Sequence, residues 1–266
     1  MYPKLFHFGA FSLPTYGILV ALGFLAGLIV AVRLARRSGL PGELISNLAV
    51  YCALVGIAGA KLFMFLFDWP LYWNNPGDIF TVATLQAAGV YHGGFLAALV
   101  FAYLYIRAQK LPLALTMDCF APGIALGHAI GRVGCFAAGC CWGRESHLPW
   151  AVTFHSQEAA GVPLGVPLHP AQLYESAANL LLFVFLYRLF LKRHRPGIVI
   201  SLYLILYGVI RFLIEFFRFH EQSLVWGLSL TQWISVGLVA FGAVILFRLP
   251  AADAAVAEPR SPARVS

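Results

Sequence analysis

Along the chain, apolar residues gather into seven runs of roughly 17 to 25 residues, the length an α-helix needs to cross a bilayer. They fall at about 14–34, 46–67, 92–108, 118–140, 174–192, 197–218 and 229–248. The third is only just long enough, and the fourth is rich in glycine and carries His128 and Arg132. Polar connections separate the runs, and no run repeats another. The pattern predicts an all-α membrane protein of about seven transmembrane helices, organised as a single polytopic domain over 1–250. The 141–173 connection, which contains TFHSQEAAGVPLGVPLHP, is expected to form a small extracytoplasmic cap of turns and a short strand pair. Residues 251–266 read as a disordered cytoplasmic tail from their composition.

The basic residues orient these helices. Arg33, Arg36 and Arg37 follow the first run, Arg107 and Lys110 the third, Arg188, Lys192, Arg193 and Arg195 the fifth, and Arg248, Arg260 and Arg264 the seventh. The connections at 68–91, 141–173 and 219–228 hold almost none. Basic loops stay cytoplasmic, so the expected arrangement is N-terminus out and C-terminus in, which an odd number of spans requires. Trp69, Trp73, Trp142, Trp150 and Trp226 fall in the opposite connections, where an aromatic belt belongs. The N-terminus carries one basic residue, Lys4, and no small-residue cleavage site, so the first run reads as a retained span.

Composition narrows the class further. The chain is 61% hydrophobic and 11% charged, outside the range of soluble globular domains. Its formal net charge of +7 is spread over short clusters between apolar runs, which argues for membrane orientation and against a nucleic-acid partner. Five cysteines, at 52, 119, 135, 140 and 141, show neither CxxC nor a Cys/His metal spacing.

The candidate chemistry lies in charges inside the apolar runs. Arg132 sits between Gly131 and Gly134 in GHAIGRVGCFAAGCCWG, and a guanidinium there cannot shed its proton to escape desolvation. Counted at about 1.5 Å per residue, Arg132, Arg211 and Lys61 all fall roughly 21 to 23 Å from the inner end of their helices, in the outer third of a core about 30 Å thick. Tyr207, Arg211, Glu215 and Arg218 are spaced i, i+4, i+8 and i+11, which places them on one helical face. Tyr16, His92, His169, Tyr174 and Glu175 stand at the outer entrances of other helices. Several guanidiniums at one level suit the phosphate of an anionic phospholipid. Each charge taken singly has a plain alternative: Arg211 with Glu215 as a buried ion pair, Lys61 snorkelling outward, His128 packing beside Arg132, Cys135 filling space.

Four motifs in order give the chain its resemblance: His92-Gly93-Gly94; Gly131-Arg132-x-Gly134-x-Phe136-x-x-Gly139-x-x-Trp142-Gly143; His169-Pro170-x-Gln172-Leu173-Tyr174-Glu175; and Tyr207-Gly208-x-x-Arg211-Phe212-x-x-Glu215-x-x-Arg218. Together they resemble the bacterial prolipoprotein diacylglyceryl transferases from Tyr16 to Gln232. The resemblance implies an enzyme of the bacterial plasma (inner) membrane that moves the diacylglyceryl group of phosphatidylglycerol to the lipobox cysteine thiol of a prolipoprotein signal peptide. A thioether forms and glycerol phosphate leaves, and the resemblance implies no metal and no cofactor. By analogy His92 takes or relays the thiol proton, Arg132 and Arg211 hold the phosphate, Tyr207 positions the headgroup and Glu215 orients Arg211. Tyr16, Lys61, Gly131, Gly134, Cys135, Gly143, His169, Tyr174, Glu175 and Arg218 match positions expected to line the substrates. Cys135, Cys140 and Lys61 depart from the usual asparagine, glutamate and arginine. The competing classes are a phospholipid or anionic-solute transporter, which would show repeat symmetry, and a membrane thiol oxidoreductase, which lacks its CxxC.

Overall fold

The structure, a computed structural model, describes residues 4–8, 11–81, 84, 89–156, 159, 161–219 and 225–249. The tail over 251–266, with Arg260 and Arg264, lies outside the described residues. The elements in order are a β-hairpin of β1 (Lys4–Phe8) and β2 (Phe11–Pro14), then α1 (Thr15–Arg37), α2 (Gly42–Phe67), the short α3 (Trp69–Asn74) and a 3-10 turn at Pro76–Phe80. There follow α4 (Tyr91–Ala108), α5 (Leu113–Ala138), β3 (Val152–Thr153), β4 (Pro167–Leu168), α6 (Ala171–Phe190), α7 (Ile198–Ile214), a 3-10 turn at Glu215–Phe217 and α8 (Leu230–Arg248).

Six of these helices are long and apolar enough to cross a membrane among the described residues: α1, α2, α5, α6, α7 extended through Phe217, and α8. The chain is therefore a multi-pass membrane protein. The remaining long helix, α4, has 18 residues and opens on Tyr91-His92-Gly93-Gly94. At about 1.5 Å per residue it reaches about 27 Å, just under the apolar thickness of a bilayer. Leu22, Leu25, Ile29, Leu54, Ile57, Leu181 and Phe247 point outward, as lipid contact requires.

The chain divides into two compact units, Leu40–Thr116 and the pair of stretches Met1–Gly39 with Met117–Ser266. In the smaller unit α2 packs on α4 through small residues: a Cβ on Gly59 would lie 2.5 Å from that of Ala97, and one on Gly94 2.5 Å from the Gly56 carbonyl oxygen. In the larger unit α1 crosses α5 backbone to backbone, Gly23 and Gly27 facing Gly127 and Gly123, with the added Cβ of Gly27 only 2.6 Å from the Gly123 carbonyl. Without a hydrophobic drive between helices in lipid, such close approach supplies the packing energy. Helices α7 and α8 meet the same way through Gly208 and Gly242.

Asp118, fully buried on α5, ties the larger unit together. Its carboxylate accepts from the Gly197 amide at 2.6 Å and the Ile200 amide at 2.8 Å, capping the N-terminus of α7, which has no side-chain cap of its own. The cap is a small folded layer. β3 and β4 pair antiparallel, Val152 opposite Leu168, over a cluster of Phe154, Val162 and Leu168 packed against Phe136 and Trp142.

The polar face expected over Tyr207 to Arg218 ends early. Helix α7 stops at Ile214, and Arg218 stands at φ −84°, ψ 146° in extended backbone after the 3-10 turn. Arg218 therefore leaves the face that carries Tyr207 and Arg211.

Candidate active site

Arg132 lies two turns from the end of α5, and one turn earlier on the same face is His128. Helix α6 brings Glu175, 1% exposed, against both. Arg132 Nη2 is 3.0 Å from Glu175 Oε1, Arg132 Nε donates to His128 Nε2 at 3.1 Å, and Arg132 Nη1 points at Cys135 Sγ at 3.9 Å. A guanidinium has five N–H groups, so these three partners leave one on each terminal nitrogen for a further acceptor. His128 Nε2 is also 3.3 Å from Glu175 Oε1. This ring nitrogen therefore sits between the guanidinium and the carboxylate. His128, read from the sequence as packing, is part of the charged network.

Helix α7 supplies the second arginine. Arg211, 8% exposed, pairs through Nη1 with Glu215 Oε2 at 2.7 Å. The other oxygen of Glu215 accepts from Ser229 Oγ at 2.8 Å. Ser229 is the N-cap of α8, in a reciprocal capping box with Gln232. Glu215 is thereby fixed from two helices, and a fixed carboxylate fixes Arg211. Tyr207 stacks on Tyr203 with ring centroids 5.6 Å apart and meets the His128 ring at 5.3 Å, which joins the α5 and α7 groups. Glu175 lies within electrostatic reach of both Arg132 and Arg211.

The cap closes over this network through backbone. Gly143 N–H donates to the His169 carbonyl at 3.1 Å, and Arg144 N–H to the Phe217 carbonyl at 2.8 Å. A Cβ on Gly143 would lie 2.6 Å from the carbonyl oxygens of both His169 and Phe217, so only glycine allows the two chains this close. Gly143 is thus a packing position. Tyr174 Oη accepts from Trp150 Nε1 at 2.7 Å and sits 3.2 Å from His169 Nδ1, with the Phe217 ring against both. Gln172, buried, donates to the Cys140 carbonyl at 2.7 Å.

Tyr16, exposed in the first turn of α1, lies within electrostatic reach of Arg132 and the cysteines beyond it, and its ring meets Gly134. A Cβ on Gly131 would meet nothing within 4 Å, whereas one on Gly134 would press on Tyr16 and Leu19. Of the flanking glycines, Gly131 alone opens onto free space. Arg218 has a buried Nε with no hydrogen-bond partner among the described residues. Arg132 and Arg211 are thus each paired with one carboxylate, while Arg218, beyond the end of α7, acts electrostatically on Cys141.

His92 and Lys61 belong to the smaller unit. His92 is exposed at the start of α4, and Lys61 Nζ donates to the Thr84 carbonyl at 2.5 Å. The larger unit holds Tyr16, Arg132, Cys135, Gly143, His169, Tyr174, Glu175, Tyr207, Arg211, Glu215 and Arg218.

One cluster escaped the linear spacing. Cys135, Cys140 and Cys141 bring their sulfurs within 4.8 Å of one another. Cys135 and Cys140 beside it, aided by Arg218 and Arg132, hold the Cys141 thiol below its ordinary range, and the Cys140 thiol donates to the Cys135 carbonyl at 3.6 Å. The signal was there in the end of α5: a glycine after a helix folds the next residues back, so C-x-x-x-x-C-C is a cluster even without CxxC.

Fold and candidate site together define a multi-pass membrane protein that holds two arginines on its helices, each braced by a carboxylate. A family model described as Prolipoprotein diacylglyceryl transferase matches residues 3–248. The chain is 33% identical over 232 residues to the phosphatidylglycerol–prolipoprotein diacylglyceryl transferase of Finegoldia magna, covering 86% of this chain and 88% of the relative. It is 34% identical over 242 residues to that of Clostridium tetani (91% and 95%) and 34% over 256 residues to that of Aromatoleum aromaticum (92% and 94%). The chain belongs to the prolipoprotein diacylglyceryl transferase family and is a transferase, as its four motifs led one to expect.

Proposed function

We propose that this protein transfers the diacylglyceryl group of phosphatidylglycerol to the lipobox cysteine of a prolipoprotein signal peptide, in the bacterial plasma membrane. The observation that carries the proposal is the joined network of Arg132, His128, Glu175, Tyr207, Arg211 and Glu215. The bond made is sulfur to the glycerol carbon, and the bond broken is that carbon to the phosphate oxygen. The electron pair leaves with glycerol phosphate, and the thiol proton goes to a base. Stabilising the departing phosphate needs donors fixed in advance, because a donor that must reorganise gives back part of what it supplies. Glu175 and Glu215 do that fixing for Arg132 and Arg211.

In this scheme the free N–H groups of Arg132, with Arg211 and Arg218, receive the phosphate. Gly131 gives the headgroup room, and Tyr207 and Tyr16 border it. His92 takes the thiol proton, and Lys61, His169 and Tyr174 shape the approach of the substrates. Seven spans, α4 included, run N-terminus out to C-terminus in. The basic last turns of α1, α4, α6 and α8 support that direction, since those are the helices that run inward and a helix C-terminus favours cations. The cap then lies outside, and 1–250 form one membrane domain with 251–266 as a cytoplasmic tail.

The test is direct. Purified protein, phosphatidylglycerol vesicles and a lipobox peptide are mixed, and mass spectrometry looks for the diacylglyceryl peptide and equimolar glycerol phosphate. Arg132→Lys is expected to lose most of the rate, because an ammonium cannot bridge two phosphate oxygens. Failure to form adduct beside an active relative overturns the proposal, and a fully active Arg132→Lys removes the two-oxygen grip assigned to Arg132.

A further inference from the structure

The end of α5 folds three cysteines together. Gly139 adopts φ +72°, its N–H bonds the Phe136 carbonyl at 3.2 Å, and the Cys140 N–H bonds the Cys135 carbonyl at 3.1 Å. These two bonds make a Schellman motif, in which the residue after the glycine folds back onto the third-last residue of the helix, a contact normally made by two hydrophobic side chains. Here both are cysteines. The next residue, Cys141, is one of three non-glycine residues at positive φ among those described, at +60°, and that turn brings its sulfur to the other two.

We infer that Cys135, Cys140 and Cys141 form a three-thiolate site for a thiophilic d10 metal ion of the zinc, cadmium or copper(I) class. Soft sulfur ligands select such ions. A trigonal site with metal–sulfur bonds of about 2.3 Å sets its sulfurs about 4.0 Å apart, inside the 4.8 Å that encloses these three. Little has to move. Binding forms three metal–sulfur bonds and releases the three thiol protons to solvent. A divalent ion with three thiolates carries one negative charge, and Arg132 and Arg218 lie within electrostatic reach of Cys141 to balance it. Gln172, holding the Cys140 carbonyl, fixes the loop from outside the ligand set. The other two cysteines, Cys52 and Cys119, stand elsewhere on α2 and α5 and are not members of the cluster.

The experiment uses the full chain, reduced and purified in detergent without oxygen. Cadmium(II) is titrated in, the sulfur-to-cadmium ultraviolet absorption is followed, and alkylation read by mass spectrometry reports which thiols are covered. One cadmium per chain is expected, with Cys135, Cys140 and Cys141 protected together and the alkylation of Cys52 unchanged. Cys141→Gly suits the φ of that position, so it folds without strain while losing a ligand. Its affinity is expected to fall by on the order of 100-fold or more, since even partners outside the ligand set are worth 10- to 100-fold. Cys52→Ser should bind as the wild type does. Cadmium bound with undiminished affinity by Cys141→Gly, absence of stoichiometric binding, or a disulfide among the three in place of metal uptake overturns the inference.

Discussion

Replacing Glu175 by glutamine tests the core of the site, because it removes one charge and almost no volume. Glu175 is 1% exposed and is held 3.0 Å from Arg132 Nη2. Removing one partner of a buried ion pair typically costs about 3–5 kcal/mol, since the remaining charge stays desolvated. Arginine cannot neutralise itself, so the full cost applies. The glutamine oxygen can keep one hydrogen bond, worth about 1 kcal/mol, which leaves a net loss of about 2–4 kcal/mol. At about 2–4 °C per kcal/mol for a chain of this size, Tm falls by about 5–15 °C. The assay is thermal unfolding of the detergent-purified protein followed by intrinsic fluorescence, with transfer kinetics measured well below the new Tm. There kcat is expected to drop while KM for phosphatidylglycerol changes less, because Arg132 is still charged but no longer aimed. The double variant Arg132→Met with Glu175→Gln removes both charges and should recover much of the lost Tm while remaining inactive. A Tm unchanged within about 2 °C in the single variant, or a double variant less stable than the single, refutes the claim that this pair braces the site.

Three further outcomes follow from the geometry. Gly143→Ala drives a Cβ to 2.6 Å from two backbone carbonyl oxygens; overpacking of this kind costs about 1–3 kcal/mol, and limited proteolysis should show the cap loosened before the helices. Asp118→Asn puts an amide group in place of one of two acceptors facing the Gly197 and Ile200 amides, and should lower stability by about 1–2 kcal/mol in the same thermal assay. Gly131→Ala meets open space and gains helix propensity, so Tm should hold or rise; a fall in transfer rate at constant Tm would mark that space as headgroup room, and an unchanged rate would remove Gly131 from the site.

The helices were legible from the sequence because lipid leaves the chain so little choice: each apolar run must satisfy its own backbone hydrogen bonds, so a run of sufficient length is a helix. The same rule does not reach the segments at the membrane edge. The β1–β2 hairpin and α3 pair or coil at the surface, where short elements depend on tertiary neighbours more than on pattern. The charges of the candidate site were legible, and their partners were not. Charges on apolar helices advertise themselves, and Arg132, Arg211 and Glu215 were visible for that reason. What spacing could not supply was pairing across helices: that Glu175 would brace Arg132, that His128 would sit between them, and that Asp118 would cap a helix 79 residues away. Arg218 shows the limit from the other side, since i+11 periodicity assumes a helix that in fact unwinds at Glu215. That unwinding also shapes the cap. By ending α7 there, the chain lets Phe217 and Arg218 turn to meet Gly143 and Arg144, so the segment that carries the third guanidinium is the one that holds the cap. A change that re-forms the helix through Arg218 should therefore loosen the cap and withdraw that charge together, which no substitution on the Tyr207–Arg211 face alone would do.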